Sequence, residues 1–152
     1  LDRVPPIMIG GGSKRVLGIA GREADIVSIN FNNSAGKIGP EGVGSGTVDG
    51  TSQKIEWVRA GAGERFSDLE IEIGAYFTVV TDHRDAVQGE FAKLFGLDVS
   101  DIANHPHCLI GPVDELVEKI QQRREELGIN YLTFGGAVID DVAPIIDALS
   151  GS

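Results

Sequence analysis

The residues of this chain with the most recognisable chemistry are a run of glycines, a serine and two cations, Gly10-Gly11-Gly12-Ser13-Lys14-Arg15. Glycine permits backbone conformations with positive φ and lets a ligand approach the backbone closely, and Ser13 is a good N-cap for a helix that begins at Lys14 or Arg15. The exposed amides of such a turn and the positive end of the helix dipole bind anions. The run therefore predicts a phosphate-binding turn made by Gly10, Gly11, Gly12 and Ser13.

The same run has a second interpretation, in which the glycines only allow a helix to pack closely on a sheet. Two better-defined motifs are excluded: the dinucleotide fingerprint requires a third glycine where Arg15 stands, and the P-loop requires Gly-Lys-Ser/Thr, which Gly36-Lys37-Ile38 lacks. A phosphate bound here would belong to another kind of ligand. If it is bound, valine at Gly11 or Gly12 should weaken ligand binding more than it lowers stability.

The elements around the turn place further residues beside it. The apolar run before Gly10 predicts a strand buried on both faces, and residues 24–30 predict a second strand after a short helix. Ligands of such a βαβ unit gather at the carboxyl ends of the strands. This makes Asn30 and Phe31 candidates for the substrate side of the site, together with Thr81, Asp82 and His83 after the third strand.

The rest of the chain continues the alternation of strands and helices. The sequence predicts a lid over residues 32–50, a helix from Thr51, a strand over 69–80, a helix ending at Gly96, a short helix over 98–103, an irregular crossing over 104–111, a helix over 112–127, a strand over 130–134 and a helix over 141–149. Four strand–helix units with parallel strands match half of a barrel that takes about 250 residues for eight. The competing architecture is an open, flavodoxin-like sheet.

Composition limits the class of protein. The 152 residues, 41% of them hydrophobic, suffice for one core of ordinary size, and we interpret them as a single α/β domain. A formal net charge of −10 argues against nucleic-acid binding. No apolar run is long enough for a membrane span, and a single cysteine, Cys108, forms no internal disulfide, so the cytoplasm is the expected compartment. Because the chain opens with Leu1, it is expected to be a piece of a longer protein.

The run His105-Pro106-His107-Cys108 contains residue types that bind metals. It lacks a fourth ligand at any standard zinc spacing. Loop histidines and a packed thiol are therefore the preferred interpretation, and no metal is predicted.

Four blocks of sequence form a family pattern: Ile7-Met8-Ile9-Gly10-Gly11-Gly12-Ser13, Ala24-Asp25, Leu109-Ile110-Gly111-Pro112-Val113-Asp114-Glu115-Leu116 and Leu127-Gly128-Ile129-Asn130-Tyr131-Leu132. In order and spacing they resemble the C-terminal half of luciferase-like flavin or deazaflavin oxidoreductases. The resemblance implies a TIM barrel with an insertion, a cofactor phosphate bound by the amides of Gly10 to Ser13, and a lid at residues 32–50. It implies a deazaflavin coenzyme, or less readily FMN, and hydride transfer with a small-molecule substrate.

The resemblance supplies no catalytic residue, because the groups that contact the cofactor ring in that family lie mostly in the N-terminal half. Two rivals stay open: another TIM-barrel enzyme that binds a phosphorylated substrate in the same turn, and a non-enzymatic domain that binds an anion or only assembles. A half barrel would leave a sheet face and two strand edges uncovered. We therefore expect the chain to pair with a second copy or with a missing N-terminal half of the barrel.

Overall fold

A computed structural model describes residues 4–33 and 39–150. Its elements are β1 (Met8–Gly11), α1 (Lys14–Glu23), β2 (Ile26–Ile29), α2 (Pro40–Gly44), α3 (Val48–Ala62), β3 (Glu70–Ala75), β4 (Phe77–Val80), α4 (Arg84–Phe95), α5 (Val99–Asn104), β5 (Cys108–Gly111), α6 (Val113–Leu127), β6 (Tyr131–Phe134) and α7 (Ile139–Leu149), with short 3₁₀ turns at Gly63–Asp68 and Gly136–Val138. The predicted α/β fold class is confirmed.

Four strands form a parallel sheet in the order β1-β2-β3-β6. Along one row of this sheet Gly10 lies opposite Ser28, Ser28 opposite Glu72, and Glu72 opposite Tyr131. Side chains of one row in a parallel sheet point to the same side, and the next row points to the other side. The register therefore decides which residues enter the core and which do not.

The core lies on one side of this sheet. Val27, Ile29, Ile71 and Ile73 pack there against Leu17 of α1 and other apolar side chains of α1 and α3. Leu132, Phe134 and Ala75 pack on the same side with α6 and α7. Parallel strands followed by helices that all cover one side are typical of a barrel wall.

The other side of the sheet, which we call the open face, carries Met8, Gly10, Ile26, Ser28, Asn30, Glu70, Glu72, Gly74, Tyr131 and Thr133. Neither hydrophobic cluster that packs on the four-stranded sheet includes any of these residues. Met8 and Tyr131 are 46% and 38% exposed. The open face is therefore the side available to a ligand or to another part of a barrel.

The third predicted strand is divided at Tyr76. Its first part, β3, pairs with β2 and β6, whereas β4 pairs with β5 in a separate two-stranded sheet. The prediction of an irregular crossing over residues 104–111 is wrong at its end, because Cys108–Gly111 forms β5. The Phe77 amide at the start of β4 donates to the His107 carbonyl just before β5, at 3.1 Å. The partner of β5 therefore lies some thirty residues upstream in the sequence, where a local pattern cannot indicate it.

Part of the predicted lid is regular structure. Pro40–Gly44 forms α2 with Val43 buried, and α3 begins at Val48, before the predicted start at Thr51. Thr47 provides the N-cap, since its hydroxyl oxygen accepts from the Gly50 amide at 3.4 Å. Residues 34–38 of the predicted lid lie outside the described residues. Whether the segment moves as a lid stays a prediction.

Within residues 4–33 and 39–150, no helix combines the length and apolarity that a membrane span requires.

Candidate functional site

The glycine turn joins the carboxyl end of β1 to the first residue of α1. Ser13 is the N-cap, with φ −108° and ψ 151°, and its hydroxyl oxygen accepts from the Val16 amide at 3.5 Å. The amides of Lys14 and Arg15 have no acceptor within their own helix, as in the first turn of any α-helix. Lys14 and Arg15 are exposed. The turn thus brings amides without a helical acceptor and two exposed cations to the sheet edge where ligands of parallel sheets gather.

Of the two interpretations of the glycine run, close packing accounts for the glycines in the structure, and phosphate binding stays a prediction. None of Gly10, Gly11 and Gly12 has a positive φ; the described residues that do are Gly63, Gly96, Gly111 and Gly128. A Cβ on Gly12 would lie 2.2 Å from the carbonyl oxygen of Phe31, and one on Gly11 would lie 2.5 Å from Val16 Cγ1. Close contact with the Phe31 backbone at Gly12 and with the Val16 side chain at Gly11, and not an unusual backbone angle, therefore favours glycine here.

Asn30 lies beside this turn and on the open face. Its amide donates to the Gly11 carbonyl at 2.9 Å, and its side-chain Nδ2 donates to Ser28 Oγ at 3.2 Å. The Tyr76 hydroxyl donates to Asn30 Oδ1. The side chain is held in one orientation, with its polar group close to the point where the glycine turn begins.

Phe31 does not reach the open face. It is 3% exposed and packs in an aromatic cluster with Tyr76, Phe77, His105 and His107, with 4.4 Å between the ring centroids of Phe31 and His107. Tyr76, which the sequence analysis missed, is half exposed beside Asn30 instead. No local pattern identifies Tyr76, because its position depends on the break between β3 and β4.

Thr81, Asp82 and His83 follow β4 and so belong to the two-stranded sheet. The Thr81 amide donates to the Gly111 carbonyl at 3.0 Å, and the His83 amide donates to Thr81 Oγ1 at 3.0 Å. In the part of the chain that the structure describes, no hydrogen bond joins these residues to the glycine turn. The structure does not bring them together with Asn30.

The two buried histidines serve as hydrogen-bonding groups of the interior. His105 Nδ1 accepts from the His107 amide at 3.2 Å, so its Nε2 carries the proton and donates to the Val43 carbonyl at 2.9 Å. His107 Nδ1 donates to the Gly74 carbonyl at 2.8 Å. Burial lowers the pKa of both imidazoles, that of His107 to about 3, so both are neutral at physiological pH.

Cys108 is buried at the start of β5. Burial raises the pKa of its thiol to about 12. A protonated, inaccessible thiol is a poor nucleophile and a poor metal ligand. Among the described residues, no three His, Cys, Asp or Glu side chains are close enough to hold a metal ion.

Lys54 of α3 is a buried cation that fixes the loop after β2. It is 2% exposed, and its Nζ donates to the Asn30 carbonyl at 2.8 Å and to the Ser45 carbonyl at 2.7 Å. Burial lowers its pKa to about 8. The ammonium thus joins the backbone of Asn30 to the segment that follows α2. Sequence patterns did not indicate this, because a lysine in a helix is normally solvated.

We expect Lys54 to make stability rise with pH. Its pKa is about 8 when folded and 10.5 in a solvated chain, so the unfolded chain binds more protons between these values. The full cost of burying the charge applies below pH 8 and disappears as the pH rises to 10.5. Relative to Lys54→Met, the free energy of unfolding should increase by about 2 to 3 kcal/mol over that window. Urea unfolding of both proteins at several pH values measures it; a constant difference would contradict the lowered pKa.

Glu72 is a buried carboxylate in the middle of the open face. It is 4% exposed, and its Oε1 accepts from Thr133 Oγ1 at 2.6 Å. Burial raises the pKa of the Tyr76 hydroxyl most, and the nearby charge of Glu72 raises it further. The alternation of residues 69–73 correctly indicates a strand, but it presents Glu72 as a solvent-facing residue and so conceals its burial.

Comparison with solved structures identifies proteins of the same fold. A long-chain alkane monooxygenase (LadA) superimposes with a TM-score of 0.59 at 17% identity over 96% of this chain and 41% of its own. Riboflavin lyase (RcaE), solved with modified FMN and substrate riboflavin, gives 0.58 at 13% identity over 96% of this chain and 43% of its own. A coenzyme F420 dependent tetrahydromethanopterin reductase from Methanopyrus kandleri gives 0.55 at 15% identity over 93% of this chain and 48% of its own.

No protein-family profile matches the sequence, and no curated protein matches it by sequence similarity. The chain spans 41% to 48% of the length of the three structures. The fold predicted from the sequence resemblance is nevertheless confirmed: this chain has a parallel α/β architecture that matches a part of each of these three structures.

Proposed function

We propose that this chain is the C-terminal half of a luciferase-like oxidoreductase that transfers hydride between a small-molecule substrate and a deazaflavin or flavin cofactor. The observation that carries the proposal is the turn at Gly10–Ser13, which lies at the carboxyl edge of the sheet beside Asn30 and leads into the first turn of α1, where helix amides have no acceptor within the helix. The fold is shared with a protein named as F420 dependent and with one solved with modified FMN, which supports this class of cofactor.

The residues present fit the phosphate of such a cofactor. Gly12 and Ser13 are partly exposed, and the absence of a Cβ on Gly12 lets the turn lie flat against the Phe31 backbone. In this proposal the amides of Ser13, Lys14 and Arg15 bind the phosphate, and the two side-chain charges strengthen the binding. The cofactor, when bound, supplies the hydride chemistry. Asn30, oriented by Tyr76 and Ser28, then offers hydrogen-bonding groups to the substrate side.

Cofactor binding tests the proposal. We expect F420 or FMN to bind, with F420 preferred, and the double substitution Lys14→Gln, Arg15→Gln to weaken binding about tenfold. Arg22→Gln is the matched control, because Arg22 is an exposed arginine in the last turn of the same helix. Fluorescence titration measures all three proteins, and circular dichroism checks their folding.

The other outcomes separate the rivals. Binding of a phosphorylated metabolite analogue, with no affinity for either cofactor, would favour another barrel enzyme that holds its substrate in this turn. If the wild-type protein binds none of the phosphate ligands tested, the result would favour a non-enzymatic domain that only assembles. The proposal also predicts four further strand–helix units in the coding sequence that precedes Leu1, and their absence would contradict it.

A further inference from the structure

The middle rows of the open face are unsuited to a packed barrel interior. Barrel interiors are usually filled by bulky branched side chains such as valine, isoleucine and leucine. Here one row reads Gly10, Ser28 and Glu72, and the next contains Gly74 and Thr133. The Tyr76 ring covers Gly74 and the Asn30 side chain lies against Gly10, so polar groups stand here in place of bulky apolar ones, and the hydroxyls and the carboxylate offer hydrogen bonds. Such a surface can hold a polar ligand.

Glu72 is the group on this surface whose bonding is least complete. Its carboxylate accepts one hydrogen bond, from Thr133 Oγ1. The ion pairs of the described residues all lie elsewhere, and none includes Glu72. A carboxylate that is 4% exposed normally needs a cation or several donors to offset its desolvation. Among the described residues, no second donor and no cation contacts this carboxylate.

The neighbouring polar groups are used by one another. Tyr76 donates to Asn30 Oδ1, and Asn30 Nδ2 donates to Ser28 Oγ. The Tyr76 ring also lies over Gly74, since a Cβ there would be 2.5 Å from its Cε1 atom. This network forms a fixed wall on one side of Glu72 without neutralising its charge.

Apolar side chains border the same surface. Met8 lies two residues before Gly10 on β1, and Tyr131 lies directly opposite Glu72 on β6. Both are exposed. A ligand with a cationic end and an apolar body would therefore meet a carboxylate and two apolar contacts together, and an aromatic ring beside the carboxylate favours a cation further.

We propose that Glu72 binds the protonated amine or guanidinium of a small molecule that lies on the open face, between Met8 and Tyr131. The inference rests on the proposed function, because it makes this molecule the substrate whose site adjoins the cofactor turn. It assigns to the substrate a cationic nitrogen group, held by the carboxylate while Asn30 and Tyr76 limit its position.

Nuclear magnetic resonance titration with n-butylammonium and with n-butanol tests the proposal directly. We expect saturable shifts of the Ser28, Gly74 and Thr133 amides with the ammonium and none with the alcohol. Glu72→Gln should weaken ammonium binding by about tenfold or more. Glu70→Gln is the matched control, because Glu70 is an exposed glutamate of the same strand and the same face, and it should change the affinity less than about twofold.

Three results would overturn the proposal. The first is an equal affinity of wild type and Glu72→Gln for n-butylammonium. The second is an equal loss of that affinity in the Glu72 and Glu70 variants. The third is a lysine or arginine from another part of a longer protein that pairs with Glu72. If Glu72→Gln fails to fold, Glu72→Asp keeps the charge and should still bind the ammonium in preference to the alcohol; a loss of that preference would count against the site.

A parallel titration with F420 and FMN keeps the two proposals apart. Cofactor binding without Glu72-dependent ammonium binding would retain the proposed function and overturn this site. Glu72-dependent ammonium binding without affinity for either cofactor would support the cation site and overturn the oxidoreductase assignment.

Discussion

Replacing Gly12 with alanine is expected to lower the free energy of unfolding by about 2 to 4 kcal/mol. The new Cβ would lie 2.2 Å from the Phe31 carbonyl oxygen, 2.5 Å from its carbonyl carbon and 2.7 Å from the Asn32 amide nitrogen. All three atoms belong to the backbone, so no side chain can rotate away to relieve the overlap. The turn and the loop after β2 would have to separate, and this would disturb the contacts around Phe31.

Gly18 provides a control with the same chemical change. It lies in the middle of α1, and a Cβ there would meet nothing within 4 Å. Alanine favours the helix, so Gly18→Ala should raise stability by about 0.5 to 1 kcal/mol. Urea unfolding of both variants measures the contrast. Similar stabilities for the two variants would show that the turn and the Phe31 backbone are not in contact.

The contact also changes what glycine substitutions reveal about function. From the sequence, valine at Gly11 or Gly12 is expected to weaken ligand binding more than stability. The structure contradicts the basis of that expectation, because both positions face atoms of the fold and neither has a positive φ. Side-chain substitutions at Lys14 and Arg15, which are exposed, are therefore the informative test of the turn.

Sequence patterns predicted the elements whose signals are local. The apolar stripe of α6 and the glycine after it specify a helix that ends at Leu127, and Gly128 has the φ of 70° that such an end requires. The apolar runs before Gly10 and Asn30 likewise give β1 and β2. In each case the residues that define the element lie within it.

Sequence patterns missed the features that depend on distant partners. β5 is a four-residue strand defined by its pairing with β4, and the preceding His-Pro-His residues obscure it. The burial of Lys54 depends on two carbonyl groups from other segments, which accept hydrogen bonds from its ammonium group. Glu72 is buried because its strand lies at the centre of the sheet. Lys54 and Glu72 lie beside the candidate site, so its chemistry was harder to predict than its fold.

The chain by itself is expected to associate at micromolar concentration. Within residues 4–33 and 39–150, β1 and β6 of the four-stranded sheet are each paired on one side, which leaves two edges with unpaired backbone groups. Exposed apolar side chains border both edges: Ile7 is 52% exposed next to β1, and Ile146 of α7 is 45% exposed near β6. A groove of about 810 Å³ lined by Leu132, Phe134 and Ile145 adds apolar surface at the β6 edge.

Pairing of two copies edge to edge would cover both edges at once. Burying about 1,000 Å² of apolar surface contributes on the order of 25 kcal/mol before the costs of association are subtracted, which exceeds the usual estimates of those costs. A closed pair of this kind would also place the open face, with Glu72, inside a barrel-like enclosure that a small ligand could enter from its end.

Sedimentation equilibrium tests this expectation. Ile7→Lys should weaken association, because the charge would lie at the β1 edge. Leu94→Lys should not, because Leu94 is 68% exposed on α4, which packs on the two-stranded sheet. Equal effects of the two substitutions would remove the edges as the site of contact. A stable monomer with a single cooperative unfolding transition would show that the sheet needs no partner. The proposal of a half barrel would then give way to an independent open α/β domain, since only an incomplete barrel requires its two edges to be covered.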